Sequence, residues 1–407
     1  MNQNDMIQRL ITAGQEHLAA HYDTLSAAEQ ETFLRQLASL DLTLPAYAVG
    51  ENNNTRGTFS PLQAVTAEEA REDRAFHEAL GLAAIRRGEV AAVLLAGGQG
   101  TRLGYDAPKG FFNVGITREM SLFSLHFANI ARHAAAAGRS IPFLIMTSKF
   151  NHEQTADFLR QHEYFGYPAE DVILFPQEMA VCTDFEGKIL LARRGVIAES
   201  PNGNGGWFGS IEKAGLLPEL QRRGVKWLNV FSVDNALQQI ADPGFIGAVL
   251  AKGCESGAKV VAKADPDERV GILCLEDGRP SIVEYYEATE EMRTLRDANG
   301  SLQYRYGVIL NYLFSMERLP AVRDVRLPVH RAAKKIPYMD ANGEIVTPTE
   351  PNGYKYETLA LDMVRLQSNC LPYEVLREKE FAPIKNKEGA DSPVTARALL
   401  EGAGFVL

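Results

Sequence analysis

A glycine-dense segment with two cations is the part of the sequence best suited to chemistry on phosphates. Residues 93–110 read Val-Leu-Leu-Ala-Gly-Gly-Gln-Gly-Thr-Arg-Leu-Gly-Tyr-Asp-Ala-Pro-Lys-Gly, so a short apolar strand leads straight into the glycines. Because the three glycines within 97–100 lack Cβ atoms, we expect positive φ angles and N–H groups that converge on an anion or a flat base. Arg102 and Lys109 add full positive charges. The segment therefore predicts a phosphate-binding loop.

The spacing of this loop differs from that of two common phosphate-binding motifs. A dinucleotide fingerprint needs Gly-x-Gly-x-x-Gly, but after Gly98 and Gly100 the next glycine, Gly104, comes one residue too late. A P-loop needs Gly-Lys-Ser/Thr at the start of a helix, whereas Lys109 stands between a proline and a glycine. Neither motif describes the segment, so the loop belongs to another class of phosphate site.

A carboxylate at the end of a second apolar strand is a candidate metal ligand. Asp234 follows the run 230–233, Val-Phe-Ser-Val, and would stand at the carboxyl edge of that strand. A magnesium ion that bridges phosphate oxygens prefers such an oxygen ligand and needs few from the protein. From the residues alone, an aspartate that caps the next helix remains an alternative.

Composition bounds the class of protein. The chain has 407 residues, 45% hydrophobic and 23% charged, which is enough for a full core in two or three domains. A net charge of -10 argues against a nucleic-acid or anionic-membrane partner, so a polyanionic substrate must meet a local cluster of cations. Four scattered cysteines, a start without an apolar signal core and the lack of a bilayer-length apolar run predict a cytoplasmic protein.

The hydrophobic pattern predicts an α/β fold with a helical start. Helical spacing covers about 3–42 and 66–87, and strands then alternate with helices from residue 93 to residue 263. Such alternation favours a parallel sheet covered on both faces, with ligands at the carboxyl ends of the strands. The stretch 271–312 has turn signals and predicts an antiparallel flap beside the sheet. We expect three lobes, with bounds 1–88 (helical), 89–330 (catalytic) and 331–407 (small, C-terminal).

Ordered matches along nearly the whole chain make this sequence similar to the nucleotide-diphosphate-sugar pyrophosphorylases, in the branch that contains UDP-N-acetylhexosamine pyrophosphorylase. Besides the glycine-rich loop, the matching segments are Ala-Gly-Gln-Glu-His-Leu at 13–18, Asn-Gly-Asn-Gly-Gly at 202–206, Val-Asp-Asn at 233–235, Lys-Lys-Ile-Pro-Tyr at 334–338 and Tyr-Glu-Val-Leu-Arg-Glu at 373–378. The resemblance implies a Rossmann-like, GT-A-like nucleotidyltransferase fold with a mixed, mainly parallel sheet, a helical N-terminal lobe and a small C-terminal lobe.

The resemblance also implies a reaction. A Mg²⁺-dependent uridylyltransferase would join UTP and a sugar 1-phosphate and would release pyrophosphate and a UDP-sugar. The sugar phosphate would attack the α-phosphorus in line, so catalysis would rest on positioning and charge neutralisation, without a covalent nucleophile. N-acetylglucosamine 1-phosphate is the first expectation for the sugar, and glucose or galactose 1-phosphate is the alternative.

Roles carried over from the family cover four groups of residues. The catalytic cations would be Arg102, Lys109 and Lys385. Contacts to the nucleotide would come from Leu95, Ala96, Gly97, Gly98, Gln177, Gly205 and Gly206, with the Gln177 amide reading the edge of uracil. Contacts to the sugar phosphate would come from Asn204, Glu284, Tyr285, Asn311 and Lys355. Asp234 would hold the metal ion.

The sugar half of the pattern departs from the N-acetylhexosamine enzymes. Those enzymes carry Ala-Gly-Asn where this chain has Tyr-Gly-Val at 306–308, and their Lys-x-Glu-x-Phe-x-Phe run becomes Lys-x-Glu-x-Leu-x-Leu at 355–361. Val308 replaces an asparagine and so lacks its polar contact. The preferred sugar 1-phosphate could therefore differ in its 2-substituent. A non-catalytic nucleotide-sugar sensor is the alternative from another class, but it would not need Lys109, Asp234 and Lys385 together.

Overall fold

The computed structural model describes residues 3–49, 56–320 and 325–407. Its helices are α1 (Gln3–Thr12), α2 (Glu16–Tyr22), α3 (Ala27–Ser39), α4 (Ala46–Val49), α5 (Ala67–Glu72), α6 (Arg74–Arg86), α7 (Leu122–Ala137), α8 (His152–Gln161), α9 (Trp207–Lys213), α10 (Leu217–Arg222), α11 (Pro243–Ala251), α12 (Glu290–Thr294), α13 (Asp362–Arg365), α14 (Arg377–Glu380) and α15 (Pro393–Gly402).

The strands of these residues are β1 (Phe59–Ser60), β2 (Val90–Leu95), β3 (Phe143–Thr147), β4 (Val172–Pro176), β5 (Met179–Val181), β6 (Thr183–Asp184), β7 (Leu191–Arg193), β8 (Val196–Ile197), β9 (Glu199–Pro201), β10 (Trp227–Ser232), β11 (Ser256–Ala262), β12 (Ile272–Glu276), β13 (Arg279–Val283), β14 (Tyr306–Ser315), β15 (His330–Lys334), β16 (Tyr338–Met339), β17 (Ile345–Val346), β18 (Gly353–Glu357) and β19 (Leu371–Glu374).

Two compact units share the chain. The first unit comprises Met1–Thr55, Gln177–Gly206 and Leu327–Leu359, and the second comprises Arg56–Pro176, Trp207–Arg326 and Ala360–Leu407. These units cut across the three consecutive lobes that the sequence predicts. The reason is that hydrogen bonds join distant segments, as in the first unit, where β18 pairs with β6. A division of the chain into consecutive lobes does not take account of pairing between segments that are distant in sequence.

The second unit is built on a mixed sheet, in agreement with the predicted fold class. Its strand order is β1-β12-β14-β10-β2-β3-β4, while β11 pairs with β14 and β19, and β13 pairs with β12. Strands β10, β2, β3 and β4 are parallel to their neighbours in that part of the sheet. All six residues of β2 are buried, as expected for a parallel strand covered on both faces.

Helices α6 and α11 of this unit cross at unusually short range. A Cβ atom on Gly81 would lie 1.9 Å from the carbonyl oxygen of Pro243, and one on Gly247 would lie 1.8 Å from that of His77. Only glycine fits at these two positions, so the crossing depends on the lack of two side chains. The apolar helix α11 can then bury nearly its whole surface.

The predicted flap at 271–312 is wrong in its placement. Strands β12, β13 and β14 are antiparallel, as expected, but they belong to the main sheet. Strand β14 pairs with β10, β11 and β12, since its ten residues are mostly buried and a long apolar strand needs neighbours on both edges. What the sequence predicts as an appendage is therefore part of the central sheet.

The first unit packs short helices onto short strands. Leu10, Leu18, Phe33 and Leu37 of α1–α3 share a buried core with Val181, Ile189, Ile197 and Tyr356. Helix α3 begins with a capping box in which the Glu29 carboxylate accepts from the backbone N–H of Ser26 at 2.8 Å. The helical start of the chain is thus confirmed. Within 3–49, 56–320 and 325–407, no helix combines the length and apolarity needed to span a bilayer.

Candidate active site

The glycine-rich loop leaves the carboxyl end of β2 and folds back on itself. Gly100 N–H donates to Ala107 O at 3.0 Å, and Lys109 N–H donates to Gly98 O at 3.3 Å. The expected positive φ angles are wrong for all three glycines within 97–100, since φ of Gly100 is -80° and Gly104 is the loop's left-handed residue at 67°. Glycine is needed at position 100 because a Cβ there would lie 2.8 Å from Tyr105 O.

The two cations of this loop differ in their surroundings. Arg102 is exposed on a short 3-10 helix, 101–103, and can reach solvent. Lys109 opens a second 3-10 helix after Pro108, and its side chain is only 17% exposed. Lys109 Nζ lies 3.7 Å from Asp234 Oδ2. The proline turn therefore aims the lysine at the predicted metal ligand, while the arginine stays at the surface of the loop.

Asp234 stands where β10 ends, beside the end of β2. The two strands are parallel, and Ser232 lies opposite Leu95. Ser232 Oγ donates to Asp234 Oδ1 at 2.6 Å, which orients the carboxylate. Burial by itself would raise the pKa of Asp234, but the charges of Lys109 and Lys385 and the Ser232 hydrogen bond outweigh burial and lower that pKa. The carboxylate is therefore ionised at neutral pH.

Lys385 reaches this site through backbone hydrogen bonds. Ala236 N–H donates to Ala382 O at 3.0 Å, and Ile384 N–H donates to Asp234 O at 2.9 Å. These two hydrogen bonds hold residues 382–384 beside residues 234–236. Lys385 Nζ lies 3.7 Å from Asp391 Oδ2, and its charge also acts on Asp234. The fold thus brings Lys109, Asp234 and Lys385 together from three distant parts of the chain.

Residues predicted to contact nucleotide and sugar phosphate gather separately in the first unit. Asn202 N–H donates to Glu178 O at 3.1 Å, so Gln177 lies beside the start of the segment 202–206. Gly205 N–H donates to Thr358 O at 2.8 Å, just beyond the strand that carries Lys355. Gln177, the segment 202–206 with its Asn204, and Lys355 therefore lie on neighbouring stretches of backbone.

The glycine at position 205 has a packing reason of its own. A Cβ there would lie 2.7 Å from the backbone N of Leu359, and one on Gly206 would lie 2.8 Å from the Asn202 amide. Gly205 is buried, and its N–H is already used by Thr358. The close approach of these backbones within the first unit is enough to require glycine.

Glu284 and Tyr285 begin a turn after β13, in which Glu284 is half-buried and Tyr285 is 42% exposed. Glu284 O accepts from Glu287 N–H at 2.8 Å. Val308 lies close by, since a Cβ on Gly271 would be 3.3 Å from Val308 Cγ2 and 3.9 Å from Val283 O. The position at which this chain departs from the family pattern is therefore next to the predicted sugar-binding turn.

The predicted contact between Asn311 and the sugar is not supported. Asn311 is fully buried, its Oδ1 accepts from Asn229 Nδ2 at 2.7 Å, and its Nδ2 donates to Gln239 O at 3.0 Å. Both ends of the amide are occupied inside the sheet. Leu310 beside it has a left-handed φ of 52° at a register shift between β11 and β14, so Asn311 supports an irregular strand.

Sequence reasoning missed three ionised side chains behind the site. Lys259 has no exposed surface, and its Nζ donates to Asp242 Oδ2 at 2.6 Å and to Glu380 Oε2 at 2.5 Å. One signal was available, because a lysine within the apolar run 257–262 must bury its charge if that run is a central strand. The sequence could not identify the partners of Lys259, since Glu380 is 121 residues away.

A buried histidine beside Asp234 gives the fold a defined pH response. His126 Nε2–H donates to Val233 O at 3.0 Å. Burial lowers the pKa of His126 from 6.5 to about 4, against the smaller opposing effects of this hydrogen bond and of the Asp234 charge. The unfolded chain therefore binds a proton below about pH 6.5 that the folded chain does not accept until about pH 4. The stability that depends on the neutral ring is complete above pH 6.5 and is lost as the pH falls towards 4.

We expect the free energy of unfolding to fall by about 2 kcal/mol on account of His126 when the pH is lowered from about 7.5 to about 5. Urea denaturation at both values measures the difference. His126→Gln should remove this part of the pH dependence, whereas His162→Gln, at a partly exposed ring, should keep it. Equal pH dependence in wild type and His126→Gln would contradict the assignment.

Comparison with known proteins adds to this geometry. A family model described as UTP–glucose-1-phosphate uridylyltransferase matches residues 53–391. The human UDP-N-acetylhexosamine pyrophosphorylase-like protein 1 is 38% identical, over 98% of this chain and 84% of the relative. The UDP-N-acetylglucosamine pyrophosphorylase of Saccharomyces cerevisiae is 35% identical, over 99% and 92%. A crystal structure of uridine diphosphate N-acetylglucosamine pyrophosphorylase from Trypanosoma brucei, in complex with inhibitor, superposes with a TM-score of 0.81 at 30% identity, over 98% of this chain and 84% of that one.

Proposed function

This chain belongs to the UTP–glucose-1-phosphate uridylyltransferase family, and we propose that it transfers the uridylyl group of UTP to N-acetylglucosamine 1-phosphate. The products are UDP-N-acetylglucosamine and pyrophosphate. The observation that carries the proposal is the cluster of Lys109, Asp234 and Lys385 at the carboxyl ends of β2 and β10. Ligands gather at such strand ends in open α/β sheets.

The chemistry of the proposed reaction suits this cluster. A phosphate oxygen of the sugar 1-phosphate forms a bond to the α-phosphorus of UTP as the bond to the leaving pyrophosphate breaks. Negative charge grows on the leaving group, and Lys109 and Lys385 neutralise it, with Arg102 adding a forked guanidinium at the loop. No side chain forms a covalent bond with the substrate.

The donor set fits a magnesium ion that is bound mainly by substrate. Asp234 would hold the ion, since its carboxylate is ionised and oriented by Ser232. Among the described residues, no group of three or more His, Cys, Asp or Glu side chains could hold a metal. Mg²⁺ characteristically uses one or two carboxylates and completes its shell with phosphate and water. When bound, the ion would neutralise charge on the phosphate oxygens.

The remaining substrate contacts form part of the same proposal. For the nucleotide they are the backbone at Leu95, Ala96, Gly97 and Gly98, the Gln177 amide, and the glycines Gly205 and Gly206. For the sugar phosphate they are Asn204, Glu284, Tyr285 and Lys355. The grouping of Gln177, Asn204 and Lys355 within the first unit supports a shared substrate surface there.

An assay with a panel of sugars tests the proposal. Purified protein with UTP and Mg²⁺ should release pyrophosphate when N-acetylglucosamine 1-phosphate is added, and it should not do so without Mg²⁺. Glucose 1-phosphate and galactose 1-phosphate complete the panel. If no sugar gives pyrophosphate while UDP-N-acetylglucosamine still binds in calorimetry, the protein is a sensor and the proposal is wrong.

Transfer to glucose or galactose 1-phosphate is a second candidate, and Val308 favours it. An apolar valine beside the Glu284 turn cannot make the hydrogen bond that an amide could make to an acetamido group. We expect Val308→Asn to raise the kcat/KM ratio of acetamido to plain hexose about fivefold, because a hydrogen bond to an uncharged group contributes about 1 kcal/mol. Val308→Ala is the matched control, since it changes volume without adding an amide. A ratio equal in wild type and both variants would contradict the assignment.

A cytoplasmic location is also proposed. None of the four cysteines is joined in a disulfide bond, and three of them are buried. Cysteines that form no disulfide bond suit a reducing compartment. Cell fractionation checks the location, and recovery of the protein outside the cytoplasmic fraction would contradict it.

A further inference from the structure

A buried ion cluster lies behind the proposed active site, in the second unit. Lys259 is fully buried, while the side chains of Asp242 and Glu380 are 20% and 15% exposed. The two carboxylates line a cavity of about 1020 Å³ and both accept hydrogen bonds from the same ammonium. A buried ammonium is very unfavourable without such partners, so the three side chains are held in one arrangement.

The charge states of the cluster agree with this geometry. Burial would lower the pKa of Lys259, but Asp242 and Glu380 outweigh burial and raise it, so the lysine is protonated. Burial raises the pKa of Glu380 to about 6 in spite of the lysine. Glu380 is therefore mostly ionised at neutral pH, and the pair can form.

Glu380 also stands at the start of the segment that leads to Lys385. The Glu380 carbonyl oxygen accepts a hydrogen bond from Asn235 Nδ2 at 2.7 Å. The Oδ1 atom of the same Asn235 side chain accepts from Ala382 N–H at 2.8 Å. Ile384 N–H then donates to Asp234 O at 2.9 Å. The segment 380–385 thus has its side-chain anchor at Lys259 and its backbone partners at residues 234–236.

We propose that Lys259 and Glu380 are positioning residues that keep Lys385 beside Asp234. The ion pair fixes the amino end of the segment, and Asn235 transmits that position to the metal-binding residue next to it. Neither side chain touches the substrate. The inference rests on the proposed function because Lys385 has a catalytic role only in that proposal.

The test uses the full-length protein and the isosteric variant Glu380→Gln, which removes the charge but keeps the length. Glu378→Gln is the matched control, since it makes the same change two residues earlier on α14 at an exposed position. The first readout is hydrogen exchange of the amides of Ala382 and Ile384. We expect Glu380→Gln to raise their exchange rates about tenfold over wild type and over the control.

The second readout is turnover in two backgrounds. Glu380→Gln should lower kcat about tenfold with little change in the KM for UTP, because it displaces a group that acts on the leaving phosphate. In a Lys385→Ala background the same substitution should lower kcat less than about twofold, since its target is gone. A full further loss in that background would show that Glu380 acts elsewhere and would overturn the proposal.

The two readouts separate the failure of this inference from the failure of the proposed function. If wild type is inactive with every sugar, the exchange rates still decide whether Glu380 fixes the segment. If wild type is active and Glu380→Gln matches Glu378→Gln in exchange and in kcat, the positioning role is wrong while the function stands. Should Glu380→Gln fail to fold, Glu380→Asp keeps the charge and shortens the reach, and unchanged exchange in that variant is again contrary to the proposal.

Discussion

Lys109→Ala is expected to lower kcat about 10²–10³-fold, which corresponds to about 3–4 kcal/mol of transition-state stabilisation. The lysine is held by the turn after Pro108, and its ammonium lies 3.7 Å from the Asp234 carboxylate in a side chain only 17% exposed. A charge in such a partly enclosed place is screened less by water than a surface charge. Its effect should therefore appear mainly when charge develops on the leaving pyrophosphate.

The pH profile gives an independent reading of the same variant. Lys109 is a main cause of the lowered pKa of Asp234, so its removal should raise that pKa towards and above the ordinary value. The acid limb of the kcat profile should then move to higher pH. Lys252→Ala, at an exposed helix end, is the control and should leave both kcat and the profile unchanged. Turnover of Lys109→Ala within threefold of wild type would remove Lys109 from the mechanism.

Asp234→Asn is the second large expected effect. Asparagine keeps the shape and can still accept the hydrogen bond from Ser232, but it removes the charge that faces Lys109 and Lys385. We expect kcat to fall about 10²–10³-fold and the Mg²⁺ concentration for half-maximal rate to rise, because a neutral amide oxygen is a weaker ligand for a hard cation.

Mg²⁺ titrations of pyrophosphate release measure both changes. Asp157→Asn removes an equivalent charge from an exposed ion pair on α8 and serves as the control, since surface pairs contribute little. The neutral variant should remain folded, as circular dichroism can check. An unchanged Mg²⁺ requirement in Asp234→Asn would mean that the metal is held elsewhere.

Several features of the site follow from neighbouring residues and were predictable. Val93–Leu95 is an apolar run that ends in glycines, and Pro108 fixes the turn that presents Lys109, so a loop with an aimed cation is a local property. Asp234 follows the mainly apolar run 230–233, and such a run predicts a strand whose end carries the carboxylate. The expected left-handed glycines failed because close packing on Tyr105, rather than backbone φ, is what position 100 requires.

Other features depend on which distant segments become neighbours. Asn311 is an amide on a strand near the site, and nothing beside it in the sequence reveals that Asn229 and Gln239 occupy both ends of that amide. The inclusion of β14 in the main sheet likewise results from pairing with β10 and β11. Strand order is decided by burial of whole faces, which a local pattern does not specify.

The sequence by itself determined the alternation of strands and helices, the glycine-rich loop and the chemical types at the strand ends, because each depends on backbone preferences of adjacent residues. Tertiary structure alone decided that Lys385 meets Asp234, and that Lys259 and Glu380 stand behind them. The residues of each of these pairs are 121 or more positions apart in the sequence, and hydrogen bonds between separate strands and loops bring them together. Such distances along the chain carry no local signal, so only the folded sheet could bring these charges together.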